Sequence, residues 1–363
     1  MLYTDHFPPV IPEPLHGVLT TRLPIEADVE AVARLLEEDK RRFDPEACVG
    51  REGLRSRLVG PRSWSRRQVV VVPANEDGSP KEGADPVGWV VLEDRAAGRV
   101  NLVWVLPVTI PHRDELAASL NDWADAVAGA FARHRKVDSS IINDGCDARD
   151  EDRKRFLEKA GYRKVRTWLH MERPVTAEEA TTTPGPREGV RVRRVRRHES
   201  GMPLAQDVRW VHIVLEESFE DHFNSYPESF SEFVNRMNDV TNVPWDHWWI
   251  AEVQQSDGSW WPGGGLVGDV MPATATQGEG TYLEYLGVHR TARGRGVAKA
   301  LLNAAIQDAA ARGRVRVGLE VDDDSPTGAD GLYRSMGWVT ASVSESWHRE
   351  VPVRPSNLEA GAG

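Results

Sequence analysis

The chain has 363 residues, a formal net charge of −11, 40% hydrophobic residues and only two cysteines. At roughly 100–200 residues per domain, that length predicts two domains, each able to bury a core. The acidic balance disfavours nucleic acid and anionic membranes and favours a cationic acceptor such as an amine. Cys48 and Cys146 make neither a disulfide framework nor a zinc site, so a reducing compartment is expected and no metal. The start, with four prolines, Asp5 and Glu13, lacks the basic and apolar stretches of a signal peptide. No run approaches 18 apolar residues. A cytoplasmic protein is therefore expected, as monomer or homodimer.

In chain order, an apolar strand over 100–106 precedes a long helix over 114–135. The first half closes on Arg155-Phe-Leu-Glu-Lys-Ala-Gly161-Tyr162 and an alternating strand to Met171. That is a short helix, a glycine just past its end, an aromatic residue and a strand. Residues 175–188 contain Ala-Glu-Glu-Ala-Thr-Thr-Thr-Pro-Gly-Pro, have no apolar periodicity and predict a linker. The second half predicts a strand over 190–195, helices over 203–223 and 230–238, and strands over 247–253, 266–271 and 282–288. A helix over 296–312, a strand over 315–321, a short helix over 327–336 and a terminal strand over 338–351 follow. Its close, Gly331-Leu-Tyr333-Arg-Ser-Met-Gly337-Trp338, repeats that of the first half. The halves are expected to be distant copies of one α/β unit, a mixed sheet of hairpin strands with one crossover. The expected domains are 1–174 and 189–353, with a flexible tail over 354–363.

The segment that carries chemistry runs from Val288 to Leu302. A strand ends, Arg293-Gly294-Arg295-Gly296 follow, and Val297 and Ala298 open a helix. Amides at a helix start have no intrahelical partner, and the helix dipole is positive there. Gly294 and Gly296 let the backbone approach an anion closely, and Arg293 and Arg295 supply charged donors. Such a turn suits a phosphate or pyrophosphate. A P-loop needs Gly-Lys-Ser/Thr where Gly296-Val297-Ala298 stand. A dinucleotide fingerprint needs Gly or Ala where Lys299 stands. For the glycines alone, a turn that binds nothing is the alternative.

Arg293-x-x-Gly296-x-Ala298 resembles the R/Q-x-x-G-x-G/A motif of the GNAT superfamily of acyl-coenzyme A N-acyltransferases. Downstream, Ser325-Pro-Thr327-Gly-Ala329-Asp-Gly-Leu-Tyr333-Arg-Ser-Met-Gly337-Trp338 is similar to that family's N-P-T-G-A-x-x-L-Y-x-x-x-G-F/W segment. The tandem arrangement resembles mycothiol synthase and related bacterial two-domain acetyltransferases. The resemblance implies two GNAT-like domains and direct attack of an amine on the thioester of acetyl-CoA. It assigns the pantetheine amide contacts to the strand carrying Leu286 and Val288, and the pyrophosphate to 293–298. Ser325, replacing the family's Asn, Thr327 and Ala329 would flank the coenzyme, and Tyr333 would protonate the departing thiolate. Tyr282 takes the place of the family's basic Glu. Strand alternation would put 282, 284, 286 and 288 on one face, so Glu284 is the expected base. Glu217, Asp221 and His222 on the helix over 203–223 are expected to hold the amine. The aromatic run Trp245 to Trp249 fits either acceptor walls or core.

The corresponding turn of the first half has Ile110, Arg113 and Glu115 where the motif has Arg293, Gly296 and Ala298. It has no glycine, and Asp114 and Glu115 at the helix start oppose a pyrophosphate. The first half is expected to lack a coenzyme site and to serve as scaffold or to shape the acceptor cleft. The expected function is N-acetylation of a small-molecule primary amine. A non-catalytic coenzyme A sensor or partner-binding protein, and a protein lysine or N-terminal acetyltransferase, are the alternatives.

Overall fold

Two compact units arise from strands rich in Val, Ile and Trp, each sheet carrying helices on both faces. The computed structural model describes residues 17–60, 66–220, 226–237, 243–324 and 328–353. The expected tail lies outside the described residues. One unit comprises Met1–Arg166 with Ser344–Gly363, and the other Thr167–Val343.

In the first unit, β1 (Leu19–Arg22), helices α1 (Val29–Arg41) and α2 (Arg51–Val59), β2 (Arg66–Pro73), β3 (Gly88–Asp94) and β4 (Arg99–Val105) come first. Helix α3 (Arg113–Arg135), β5 (Ser139–Asp147) and α4 (Glu151–Lys159) follow. Strands β1 to β4 pair antiparallel in sequence order, and β4 pairs parallel with β5 across the α3 crossover. Leu116, Leu120, Trp123, Val127 and Phe131 form one face of α3 and pack on one side of the sheet. Helices α1 and α2 cover the other.

The second unit repeats this plan. Its elements are β6 (Arg163–Pro174), α5 (Glu179–Thr182), β7 (Val190–Arg194), α6 (Ala205–Ser218), α7 (Phe230–Met237), β8 (Trp248–Gln254), β9 (Trp260–Met271) and β10 (Gly280–Val288). After them come α8 (Val297–Ala311), β11 (Arg316–Asp322), α9 (Ala329–Ser335) and β12 (Val339–Pro352). Strands β7 to β10 pair antiparallel in order, and β10 pairs parallel with β11 across α8. Helices α8 and α9 pack on one face, and α6 and α7 on the other. The mixed α/β plan and its duplication are as the sequence led us to expect. Trp248 and Trp249 are buried in these clusters, so that part of the aromatic run is core.

Two features depart from the local pattern. The closing strands pair away from their own copies. Strand β6 lies antiparallel to β11 in the second unit, and the 344–352 part of β12 lies antiparallel to β5 in the first. A strand's alternation fixes its faces but not its neighbour, so the sequence does not reveal this. In addition, residues 175–188, expected to be a linker, carry α5 docked on α8. Gln307 Nε2 donates to the Ala180 carbonyl at 3.0 Å, and Asn303 Nδ2 to that of Pro184 at 3.0 Å. The segment is held mainly by side-chain to backbone hydrogen bonds, which leave no apolar period to detect.

Helix α8 approaches β9 closely because Gly264 lacks a side chain. A Cβ on Gly264 would stand 2.5 Å from Val297 Cγ1 and 2.9 Å from Leu301 Cδ1. Glycine here sets the height of the helix whose first turn meets the coenzyme motif. Gly264→Val is expected to cost about 1–3 kcal/mol by overpacking, read from urea denaturation; wild-type stability would show that α8 does not depend on that contact.

Candidate active site

The site begins where β10 and β11 separate. Their parallel register runs from Gly280 opposite Arg316 to Leu283 opposite Leu319 and then stops, although both strands continue. Beyond it, β10 stays paired to β9 as far as Val288. Residues 286–288 of β10 therefore lie beyond the register with β11, along a gap between the two strands. Backbone groups in such a gap need partners, and an extended chain with amides, such as pantetheine, can supply them as a further strand would.

At the same point the register against β9 shifts between Leu283 and Tyr285, which makes Glu284 the extra residue of a β-bulge. The bulge overturns the expectation that 282, 284, 286 and 288 share a face. Leu283, Leu286 and Val288 all pack toward α8. Tyr285 packs among the α6 and α7 residues, and a Cβ on Gly287 would meet Leu215 and Ser218 of α6. Tyr282 lies opposite Leu283, also on the α6 side, where its ring stacks on His170 at 6.1 Å. Glu284 is exposed at the apex and is felt electrostatically by Tyr282.

Past Val288, the turn places Gly294 at φ +77° and Gly296 at φ +83°, both left-handed, with α8 starting at Val297. Side chains avoid that region, so glycine is required at both positions. Val297 is buried against the core, leaving its backbone and that of Ala298 at the helix start. Arg293 is exposed; its backbone N–H donates to the Arg290 carbonyl, and its side chain makes no hydrogen bond or ion pair among the described residues. Arg295 is engaged elsewhere: its Nη2 donates to the carbonyls of Gln254 at 2.9 Å and Gly189 at 3.4 Å. The expected pair of phosphate-facing arginines is thus reduced to Arg293. A residue that sequence reasoning missed stands near it. The stem of Arg187 crosses Gly296, with Cδ 3.1 Å from where a Cβ would be.

Tyr333 is buried at the start of the 333–338 repeat signature, its ring edge-on to Trp338 at 5.9 Å. Burial pushes its phenol up to about 12, so it holds its proton through the neutral range. Ala329 is partly buried beside the same cluster. Ser325 and Thr327 lie outside the described residues, as do Asp221 and His222. Glu217 is described and is paired with His289 Nε2.

On the α6 side of the parted strands stand three further polar residues that the sequence pattern alone does not single out. Glu320, on β11, alternates with the apolar Val317, Leu319 and Val321, and that alternation is the signal that could have found it. Its side chain is exposed, yet burial by its surroundings raises its pKa, as for a carboxylate on the wall of a recess. His170 and Glu172, on β6, lie opposite Glu320 and Gly318. They became visible only once the partner of β6 was known.

The first unit has the same parting and fills it. The register of β4 with β5 ends at Asn101 opposite Asn143. Trp104 Nε1 then donates to Asp144 Oδ2 at 2.8 Å, and the Arg153 guanidinium lies 3.8 Å from the Trp104 ring centre. Arg153 also donates to the Trp104 carbonyl at 3.2 Å and to both Asp144 oxygens. At the helix start, Arg113 pairs with Asp152 and donates to the Leu106 carbonyl.

Residues 211–338 match the model of the Acetyltransferase (GNAT) family. The matched segment lies within the second unit and spans the glycine turn and Tyr333. No curated protein matches the chain. Among solved structures, a GCN5-related N-acetyltransferase from Sphaerobacter thermophilus is similar at 22% identity and TM-score 0.64, over 92% of this chain and 96% of that one. A tandem GNAT protein from the clavulanic acid biosynthesis pathway is similar at 13% identity and TM-score 0.60, over 93% and 100%. Saccharomyces cerevisiae N-myristoyltransferase with bound myristoyl-CoA shares the fold at 12% identity and TM-score 0.56, over 94% and 82%.

The two arginines of the turn should separate in mutagenesis. Arg293→Ala is expected to weaken acetyl-CoA binding severalfold and to flatten its salt dependence, with unchanged thermal stability. Arg295→Ala is expected to lower the melting temperature, because its Nη2 ties together the Gln254 carbonyl of β8 and the Gly189 carbonyl of the turn before β7. Calorimetry and thermal melts of both variants check this; equal effects on binding would contradict it.

Proposed function

We propose that the second unit transfers an acetyl group from acetyl-CoA to a primary amine of a small molecule by direct attack. The observation that carries this is the parting of β10 from β11 with the glycine turn at its mouth. Pantetheine would complete the open edge of β10, and the pyrophosphate would meet the amides of 294–298 with Arg293 and Arg187 nearby. The residues present fit the coenzyme: left-handed glycines leave its approach clear, and 286–288 offer extended backbone beyond the β11 register. The first unit, with Trp104, Asp144 and Arg153 in the equivalent gap, is proposed to bind no coenzyme.

The chemistry assigned to the chain's own residues is modest. Holding the amine beside the thioester carbonyl supplies most of the advantage. A carboxylate accepts a proton from the ammonium, and the freed nitrogen lone pair forms the C–N bond. The C–S bond breaks with its electron pair on sulfur, and Tyr333 gives its proton to that sulfur. The second proton lost by nitrogen restores Tyr333 through solvent. Two carboxylates stand near the apex. Glu284 was expected for this role, but the bulge turns it away from the face of Leu286 and Val288. Glu320 has a pKa raised by burial, which makes it a stronger base than an ordinary carboxylate.

A thiol-release assay with acetyl-CoA and a panel of amines tests the proposal. Turnover is expected, and Gly296→Glu should abolish both turnover and acetyl-CoA binding. Binding without thiol release from any amine would make the chain a coenzyme sensor instead. Tyr333→Phe is expected to lower kcat by roughly a hundredfold, with the KM for acetyl-CoA little changed. With its phenol near 12, Tyr333 stays protonated across the assay range, so an alkaline loss of rate below about pH 10 that vanishes in Tyr333→Phe would contradict its placement.

The acid side has the opposite sign. Glu320 acts when ionised, and its raised pKa means the base form is lost as pH falls through a value above the ordinary carboxylate range. The acid limb of kcat/KM should therefore lie above that range and disappear in Glu320→Gln. Its persistence there, with loss in Glu284→Gln, would return the base to Glu284.

A further inference from the structure

By sequence, β6 closes the first copy, yet it is the strand paired with β11 in the second unit. Its polar residues face the parted strands. Glu172 lies opposite Gly318, where a Cβ would be 3.0 Å from Met271 Sδ and 3.6 Å from Glu172 Cγ, so the glycine makes room for Met271 beside the glutamate stem. His170 lies opposite Glu320. His170 Nε2 is 3.2 Å from Glu172 Oε1, and the imidazole stacks on Tyr282 of β10 at an interplanar angle of 15°. Two carboxylates, an imidazole and a phenol thus span three strands on one face, beside the gap where the thioester would sit; the one guanidinium felt by Glu172, that of Arg316, is buried with its Nη2 on the Pro272 carbonyl. The opposite face of the same strand, with Val317, Leu319 and Val321, is apolar core. His170 and Glu172 remain about a quarter exposed, at 23% and 25%.

We propose that Glu172 and His170, carried by the closing strand of the first copy, complete with Glu320 and Tyr282 a recess that binds the acceptor as a primary ammonium with no anionic group beside it. The proposal rests on the acyl-transfer reading above. Glu172 and Glu320 provide two carboxylates for charge-assisted hydrogen bonds to the ammonium. Tyr282 offers a ring face to the cation. His170 is a positioning residue, holding Glu172 by one ring nitrogen and Tyr282 by stacking. A carboxylate on the carbon next to the amine would meet the same two glutamates and be repelled. The recess therefore favours amino sugars or polyamine-like amines over α-amino acids. It also gives the first copy a part in the reaction: its own coenzyme gap is filled, and its last strand lines the acceptor side of the second.

The test uses the full chain saturated with coenzyme A, titrated near pH 7 with n-butylammonium while the imidazole resonances of His170 are followed by NMR. Butanol and norleucine are the neutral and α-carboxylate controls. Saturable shifts with butylammonium, none with butanol, and at least tenfold weaker binding of norleucine are expected. Glu172→Gln combined with Glu320→Gln should raise the butylammonium Kd at least tenfold, with the calorimetric Kd for acetyl-CoA changing less than twofold. If that double variant does not fold, Glu172→Gln alone should raise the butylammonium Kd about threefold. Unmoved His170 resonances in protein that binds acetyl-CoA would overturn the proposal, as would variants that bind butylammonium like wild type. Failure of wild-type protein to bind acetyl-CoA would instead strike at the acyl-transfer reading.

Discussion

Everything in the second unit depends on two parallel strands that stop pairing. Strands β10 and β11 are hydrogen-bonded through Leu283 and Leu319 and separate beyond them. A sheet interior does not leave peptide groups without partners at no cost, so the gap calls for an occupant. The bulge at Glu284 sits at the point of separation and sets which side chains face each way. Leu286 and Val288 are turned into the α8 core, which keeps that part of β10 in place while its free edge stays open. The same strand runs directly into the turn whose left-handed glycines begin α8. Gap, turn and helix start are consecutive in the chain, and so are aligned without any long-range adjustment.

The two units show what that gap is worth by treating it differently. Both have four antiparallel strands, a parallel fifth reached through a long helix, and a parting between the fourth and fifth. In the first unit, Trp104 reaches across to Asp144, Arg153 covers the ring and takes the Trp104 carbonyl. Those contacts satisfy internally the groups that an extended ligand would otherwise meet. In the second unit, the equivalent positions are Leu286, Gly287 and Val288, which send no polar side chain across. Duplication of the fold with one gap filled and one open is consistent with a single coenzyme site.

The sequence was most legible where local chemistry decides structure. Most strands and helices of the second half fell within two residues of their expected bounds, because alternation and helical periodicity are strong there; β9 begins six residues earlier and α6 ends five residues earlier than expected. The paired signatures ending in Gly161-Tyr162 and Gly337-Trp338 carried the duplication, and both glycines adopt the left-handed conformation that their position implies. The glycine turn was legible for the same reason. What stayed hidden was non-local. Strict alternation missed the bulge, so Glu284 and Leu286 were placed on one face. Charge alone could not tell that Arg295 ties down the Gly189 and Gln254 carbonyls while Arg187 lies over Gly296. Glu217 was legible as an acidic helix residue, but not its pairing with His289. His170 and Glu172 belonged to a strand whose neighbour no local pattern names.

The central claim is that the open edge of β10 is where the coenzyme lies. Amide hydrogen exchange of the full chain, with and without saturating acetyl-CoA, tests it most directly, since hydrogen-bonded amides exchange more slowly. The account predicts slowed exchange at 284–288 and 294–298, with no change at 104–113 of the first unit. Protection at 104–113, or bound acetyl-CoA that leaves 284–288 unprotected, would contradict it.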